Sequence, residues 1–173
     1  AGRYKHVFYK GNENYLPNGM NSPNNAPGLY IAPFSNSLVV VMNTFNEIQQ
    51  EIIIPEIPVN LWVNVILRCE NQTLDVFING TISKSVQLHG VPKQNYGNVY
   101  VAANGGFQGN ISNLWYWNYS LGTREIQRIA MNGPNTTLIG GRGDSYNMNY
   151  LSLRWFFRGP GDSYNPYLLH TSR

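Results

Sequence analysis

Charge is what this chain has least of. Asp, Glu, Lys and Arg supply 12% of its 173 residues, about half of the roughly 25% usual in globular proteins. The 12 basic residues outnumber the 9 acidic ones by only three, and they form no run or stripe. The electrostatic footprint by which nucleic-acid binders hold phosphates is therefore missing. Arg154, Arg158 and Arg173 come nearest to one, and their interleaved aromatics read as a strand with a solvated edge. Histidine is scarce too: His6, His89 and His170 stand far apart, with no zinc-binding spacing between them. Cys69 is the single cysteine, which excludes an internal disulfide and a cysteine metal site. Its place in an alternating apolar run predicts a small buried hydrophobe. The longest unbroken apolar run, residues 38–42, is far too short for a membrane-crossing helix. The sequence shows no signal peptide, nucleophile elbow or phosphate loop. It opens Ala1-Gly2-Arg3 without an initiator Met, as a fragment of a longer protein would.

What remains is rich in β signals. Hydrophobic residues reach 42%, enough for one domain with a core that needs no disulfide staples. Residues 38–45 and 51–57 are dense in Val and Ile, and 61–69 alternates with period two. Residues 74–78 lead into Asn79-Gly80, a strong two-residue hairpin signal, and 81–88 reads as the returning strand. Residues 98–102 and the aromatic stretch 110–119 complete the strands. One segment reads as a helix, 123–131, with Ile126, Ile129 and Ala130 on one face, Glu125 in the first turn and Asn132-Gly133-Pro134 as its stop. Residues 11–33, rich in Asn, Pro and Gly, read as a long irregular loop. Residues 135–173 read as a C-terminal extension whose strand, 150–158, packs on a domain formed by 1–134. The expected fold is all-β: a two-sheet antiparallel jelly-roll sandwich with one short helix.

Four blocks in the middle of the chain occur in a telling order. Trp62-Val63-Asn64-Val65 precedes Leu74-Asp75-Val76-Phe77-Ile78-Asn79-Gly80. Then come Gly105-Gly106-Phe107-Gln108-Gly109-Asn110-Ile111-Ser112-Asn113-Leu114 and Leu121-Gly122-Thr123-Arg124-Glu125-Ile126. In order and spacing this resembles the laminin-G-like/concanavalin-A-like family over residues 35–134. Phrases around Pro27-Gly28-Leu29-Tyr30, Val91-Pro92-Lys93-Gln94-Asn95-Tyr96-Gly97 and Tyr150-Leu151-Ser152-Leu153-Arg154-Trp155 are similar to laminin-G-like proteins of large DNA viruses of algae and amoebae. The resemblance implies a non-catalytic recognition or structural module on a virion or membrane surface, with a protein or glycan as partner. Lectins and polysaccharide-active enzymes share the architecture and are the alternatives. One departure stands out: only residues 3–9 occupy the place of the family's opening strands. Missing strands there would open an inner sheet edge to another chain.

Candidate chemistry is sparse. Calcium, which many laminin-G modules bind, needs oxygen ligands, and Asp144 and Asp162 in matching Gly-Asp-Ser turns are weak candidates. Asx-turn capping explains them equally well. Asp75 is expected to face solvent from mid-strand. Polysaccharide hydrolysis needs two facing carboxylates, and Glu47, Glu51 and Glu56 are the nearest cluster without a matching pattern. No cofactor is expected. Arg142-Gly143-Asp144 is a candidate adhesion turn. Sequons at Asn71, Asn79, Asn110, Asn118 and Asn135 are candidate glycosylation sites. Asn113, Trp115, Trp117 and Tyr119 share strand parity, and rings beside an amide suit a sugar. The rival reading buries them beneath the 150–158 strand.

Overall fold

The computed structural model describes residues 2–136. Eight strands and one helix follow in order: β1 Lys5–Gly11, β2 Asn25–Ile31, β3 Leu38–Met42, β4 Gln50–Ile54, β5 Val65–Glu70, β6 Thr73–Ile78, β7 Thr81–Gln87, β8 Asn98–Val101 and α1 Thr123–Asn132. They build two antiparallel sheets, β4-β3-β2-β1-β8 and β5-β6-β7. The chain is a β-sandwich with one short helix, the expected class. The return of β8 to lie beside β1 after the whole second sheet gives the order of a Greek key.

The alternation of side chains explains the layers. Gln50, Ile52 and Ile54 of β4 are buried while Glu51 and Ile53 are exposed, so one face of that strand meets the core. Between the sheets lie Leu29, Leu38, Val40, Met42, Ile52 and Ile54 from the larger sheet and Leu74 and Val76 from the smaller one. The smaller sheet has a second covered face. There Ile66 and Phe77, opposite each other in the β5–β6 ladder, pack with Leu121 and with Ile126 of the helix. Asn79 and Gly80 take φ of 51° and 81°, the left-handed pair that a two-residue hairpin requires. The hairpin sits under α1: a side chain on Gly80 would meet the Ala130 Cβ at 3.0 Å. Glu125 accepts the Gly122 N–H at 3.0 Å, which satisfies one free donor at the helix start.

Several expectations need correction. Residues 11–33 are not one loop, because 25–31 form β2, in the middle of the larger sheet. Residues 3–9 do not leave that sheet open beside them, since β1 is flanked by β2 and β8. Residues 110–119 form no strand. Asn113 there adopts φ 53°, which breaks extended geometry. Cys69 is exposed: it follows the half-buried Leu67 on the outermost strand of its sheet, beyond the cover of the facing one. Asp75 is buried, because the helix side of β6 faces protein and not water.

Leu74 is fully buried between the sheets. Leu74→Ala is expected to lower unfolding stability by about 2–5 kcal/mol, read as a shift in urea midpoint at unchanged m-value.

Candidate functional site

Three groupings carry the polar and aromatic side chains that could act. The first covers the outward face of the larger sheet. The β1–β2 ladder pairs His6 with Tyr30 but Phe8 with Leu29, so Val7 is an extra residue on β1. That bulge turns His6 and Tyr9, three apart in sequence, to the same side. Their rings meet edge-on at 5.4 Å, and Tyr15 and Tyr30 approach His6 edge-on at 5.4 and 5.0 Å. Tyr100 of β8 stacks on Tyr9 at 5.0 Å. Met20 and the segment 12–24 close over this layer, and the His6 Nε2–H donates to the Gly19 carbonyl. Asn21 braces the same segment by donating to the carbonyls of Asn12 and Asn14. His6 is fully buried and its Nδ1 has no partner. Burial pushes its pKa below the usual value, and the Gly19 bond opposes this in part. Burial likewise pushes the Tyr9 and Tyr30 hydroxyls up. A neutral imidazole boxed by phenols holds a loop on a sheet, and it presents no open cleft to a substrate. Sequence reading missed it because period-two alternation places residues 6 and 9 on opposite faces.

The second grouping lies between the smaller sheet and the helix. Arg68 meets Asp75 at 2.7 Å, donates to the Leu121 carbonyl at 3.1 Å and lies over the Phe77 ring at 5.0 Å. Ser85 donates to the other Asp75 oxygen at 2.6 Å. Burial pushes the Asp75 carboxyl upward, but the bonds from Ser85 and Arg68 and the guanidinium charge outweigh it and hold the pKa below the usual range. This is an ion pair that ties a loop carbonyl to a sheet. The Cys69 thiol is pushed up by desolvation and by the neighbouring Asp75 charge.

The third grouping is the segment after β8. Trp115 is 66% exposed, Tyr116 88% and Tyr119 57%, with Leu114 and Ile111 also open to solvent. Trp115 and Trp117 stack at 6.3 Å with 28° between their planes. Trp117 is half-buried and packs against the Ile66–Phe77 cluster, which anchors the pair to the sandwich. Asn113 is exposed at its left-handed turn. The structure thus brings together Trp115 and Trp117, as parity suggested, without the strand that suggested it.

The other candidates scatter. Glu47 pairs with His89 at the rim, and Glu51 accepts from the Tyr4 hydroxyl at 3.5 Å. Glu56 takes a left-handed φ of 58° beyond the end of β4. Among the described residues no three His, Cys, Asp or Glu side chains are grouped as a metal would need. No helix among them is long and apolar enough to cross a membrane. Asn71, Asn110, Asn118 and Asn135 are exposed, and Asn79 is half-buried with its Oδ1 accepting the Asn64 N–H at 2.8 Å. Arg142, Gly143, Asp144, Asp162 and the 150–158 segment lie outside the described residues.

No family model matches the chain, and no curated protein does. Among solved structures it is similar to an S-layer domain-containing protein from Clostridium thermocellum. The identity is 15% and the TM-score 0.35, over 75% of this chain and 64% of that one. At that level no feature of that protein transfers to this chain.

Two measurements check these sites. Folding keeps His6 neutral, so below its ordinary value near 6.5 the unfolded chain binds a proton that the folded chain refuses. The contribution is complete above that pH and is lost as pH falls through it towards the folded pKa. The urea midpoint should therefore drop between pH 7.5 and pH 5.5, and His6→Phe, less stable overall, should flatten that slope. Cys69 should react with a thiol reagent in the folded protein, more slowly than free cysteine at pH 8 and faster as pH rises. Protection until unfolding would place it back in the core.

Proposed function

We propose that this chain is a non-catalytic recognition module displayed on a surface, with the segment 111–119 as its contact face. The supporting observation is the run of exposed apolar and aromatic side chains from Leu114 to Tyr119, held on a rigid sandwich by the half-buried Trp117. Solvent-facing rings at this density mark interaction sites, and aromatic anchors contribute most of the energy in such contacts. The resemblance to laminin-G-like domains supports the same reading and points to a virion or membrane exterior. A low charge content and a net charge of +3 fit a partner recognised by shape and apolar contact.

The stacked Trp115–Trp117 pair favours a second reading, in which the partner is a carbohydrate. The C–H face of a sugar ring packs on an indole, and neighbouring amides take its hydroxyls.

A glycan array on bacterially produced protein, run with calcium and with chelator, separates the two. Binding to one sugar class that Trp115→Ala weakens at least about tenfold establishes the carbohydrate reading. No retained glycan under either condition removes it and leaves a protein partner. Release of cleaved product from any arrayed polysaccharide overturns the non-catalytic reading altogether.

A further inference from the structure

Five sequons occur in the chain, and in two of them an aromatic residue stands two positions before the asparagine. These are Phe77 before Asn79 and Tyr116 before Asn118. The sequence cannot distinguish them; the structure does. Phe77 is 4% exposed and lies beneath Arg68 and the helix. Its asparagine is engaged in the β6–β7 hairpin, where Oδ1 accepts the Asn64 N–H. Tyr116 is 88% exposed, more than any other large hydrophobic side chain among the described residues. Asn118 is exposed too, and neither helix nor strand intervenes. The chain bends at Asn118 and Tyr119. Ser120, the hydroxyl residue of this sequon, is also exposed and is held by the Glu70 carboxylate at 3.3 Å.

We propose that Asn118 is an N-glycosylation site whose first sugar stacks on the Tyr116 ring. The proposal rests on the surface reading above, because only a chain routed through a secretory compartment meets the modifying enzyme. In the step itself the Asn118 side-chain nitrogen attacks the anomeric carbon of a polyprenyl-pyrophosphate-linked oligosaccharide. The new C–N bond forms as the C–O bond to phosphate breaks. The amide loses one proton, and the lipid pyrophosphate leaves with the bonding pair. The product places an N-acetylhexosamine two residues from a phenol ring that stacks on no other ring among the described residues. The C–H face of a pyranose covers such a ring as other apolar surface would. The exposed Tyr116 then has a partner, which the described residues do not supply. The sugar takes Tyr116 out of the contact face, which keeps Leu114, Tyr119 and Trp115 stacked on the anchoring Trp117.

The test is a double-mutant cycle in one host. The chain is secreted from a eukaryotic cell line behind a cleavable signal, as the parent, Asn118→Gln, Tyr116→Ala and the double variant. Both substitutions lie at exposed positions, and glycans at other sequons cancel across the cycle. Peptide mapping after enzymatic release in heavy-oxygen water should mark Asn118 as occupied. The parent should melt about 2–4 °C above Asn118→Gln, the shift expected of about 1 kcal/mol in a chain of this size. With Tyr116→Ala in the background that increment should vanish. An unoccupied Asn118 overturns the site, and an equal increment in both backgrounds overturns the stacking. The forced secretory route separates this outcome from the recognition reading, which the array tests on unglycosylated protein.

Discussion

Strand β6 has no solvent side, and the rest of the architecture answers to that. Leu74, Asp75, Val76 and Phe77 are four consecutive buried residues, so both faces of the smaller sheet must be covered. The larger sheet covers Leu74 and Val76. Something else has to cover Asp75 and Phe77, and the chain uses Leu121, Trp117 and helix α1. A three-stranded sheet alone would leave Phe77 and Asp75 open to water on that side. A buried carboxylate persists as an anion only when it is paired and hydrogen-bonded. Arg68 and Ser85 do this, and through the Leu121 carbonyl the same guanidinium fixes the segment that enters the helix. One ion pair thus sets both the sheet and its lid.

The larger sheet meets the same demand with aromatics. Val39 and Val41 alternate with Val40 in β3, and all are buried, because the segment 12–24 closes the outward face. The polar atoms of that layer are phenols, one imidazole and asparagines. Their low charge lets them be buried at the cost of hydrogen bonds only. A charged fraction of 12% fits two sheets whose inner strands β2, β3 and β6 are covered on both faces.

How much of this the sequence revealed follows from which signals are local. The Asn79-Gly80 hairpin, the helix and its Gly133 stop, and the β-rich middle are short-range features and were legible. The placement of β2 was not. Pro27 and Gly28 look like loop residues, yet a strand with neighbours on both sides is stabilised by tertiary packing that propensity does not record. Asp75 and Cys69 were misjudged together, because the face that carries Ile66, Arg68, Asp75 and Phe77 lies under the helix, while the opposite face runs out of cover at Cys69 on the sheet edge. The His6–Tyr9 pairing depends on a one-residue bulge, which shifts every later side chain without a mark in composition. The aromatic pair Trp115 and Trp117 was found through a strand that does not exist, since stacking needs only neighbouring rings.

The proposed contact face and the buried lid are therefore one piece of chain. Residues that cover Phe77 must present apolar groups inwards, and a segment only a few residues long without regular structure cannot hide all of its other side chains. Trp117 turns in, while Trp115, Tyr116 and Tyr119 turn out. The exposed rings are held in place by the burial of their neighbour, so the segment is anchored without being a strand. A change that loosened the Arg68–Leu121 bond would disturb the lid and the proposed contact face before it unfolded the sandwich, because that bond and the small Ile66–Phe77 cluster are local while the core between the sheets is not.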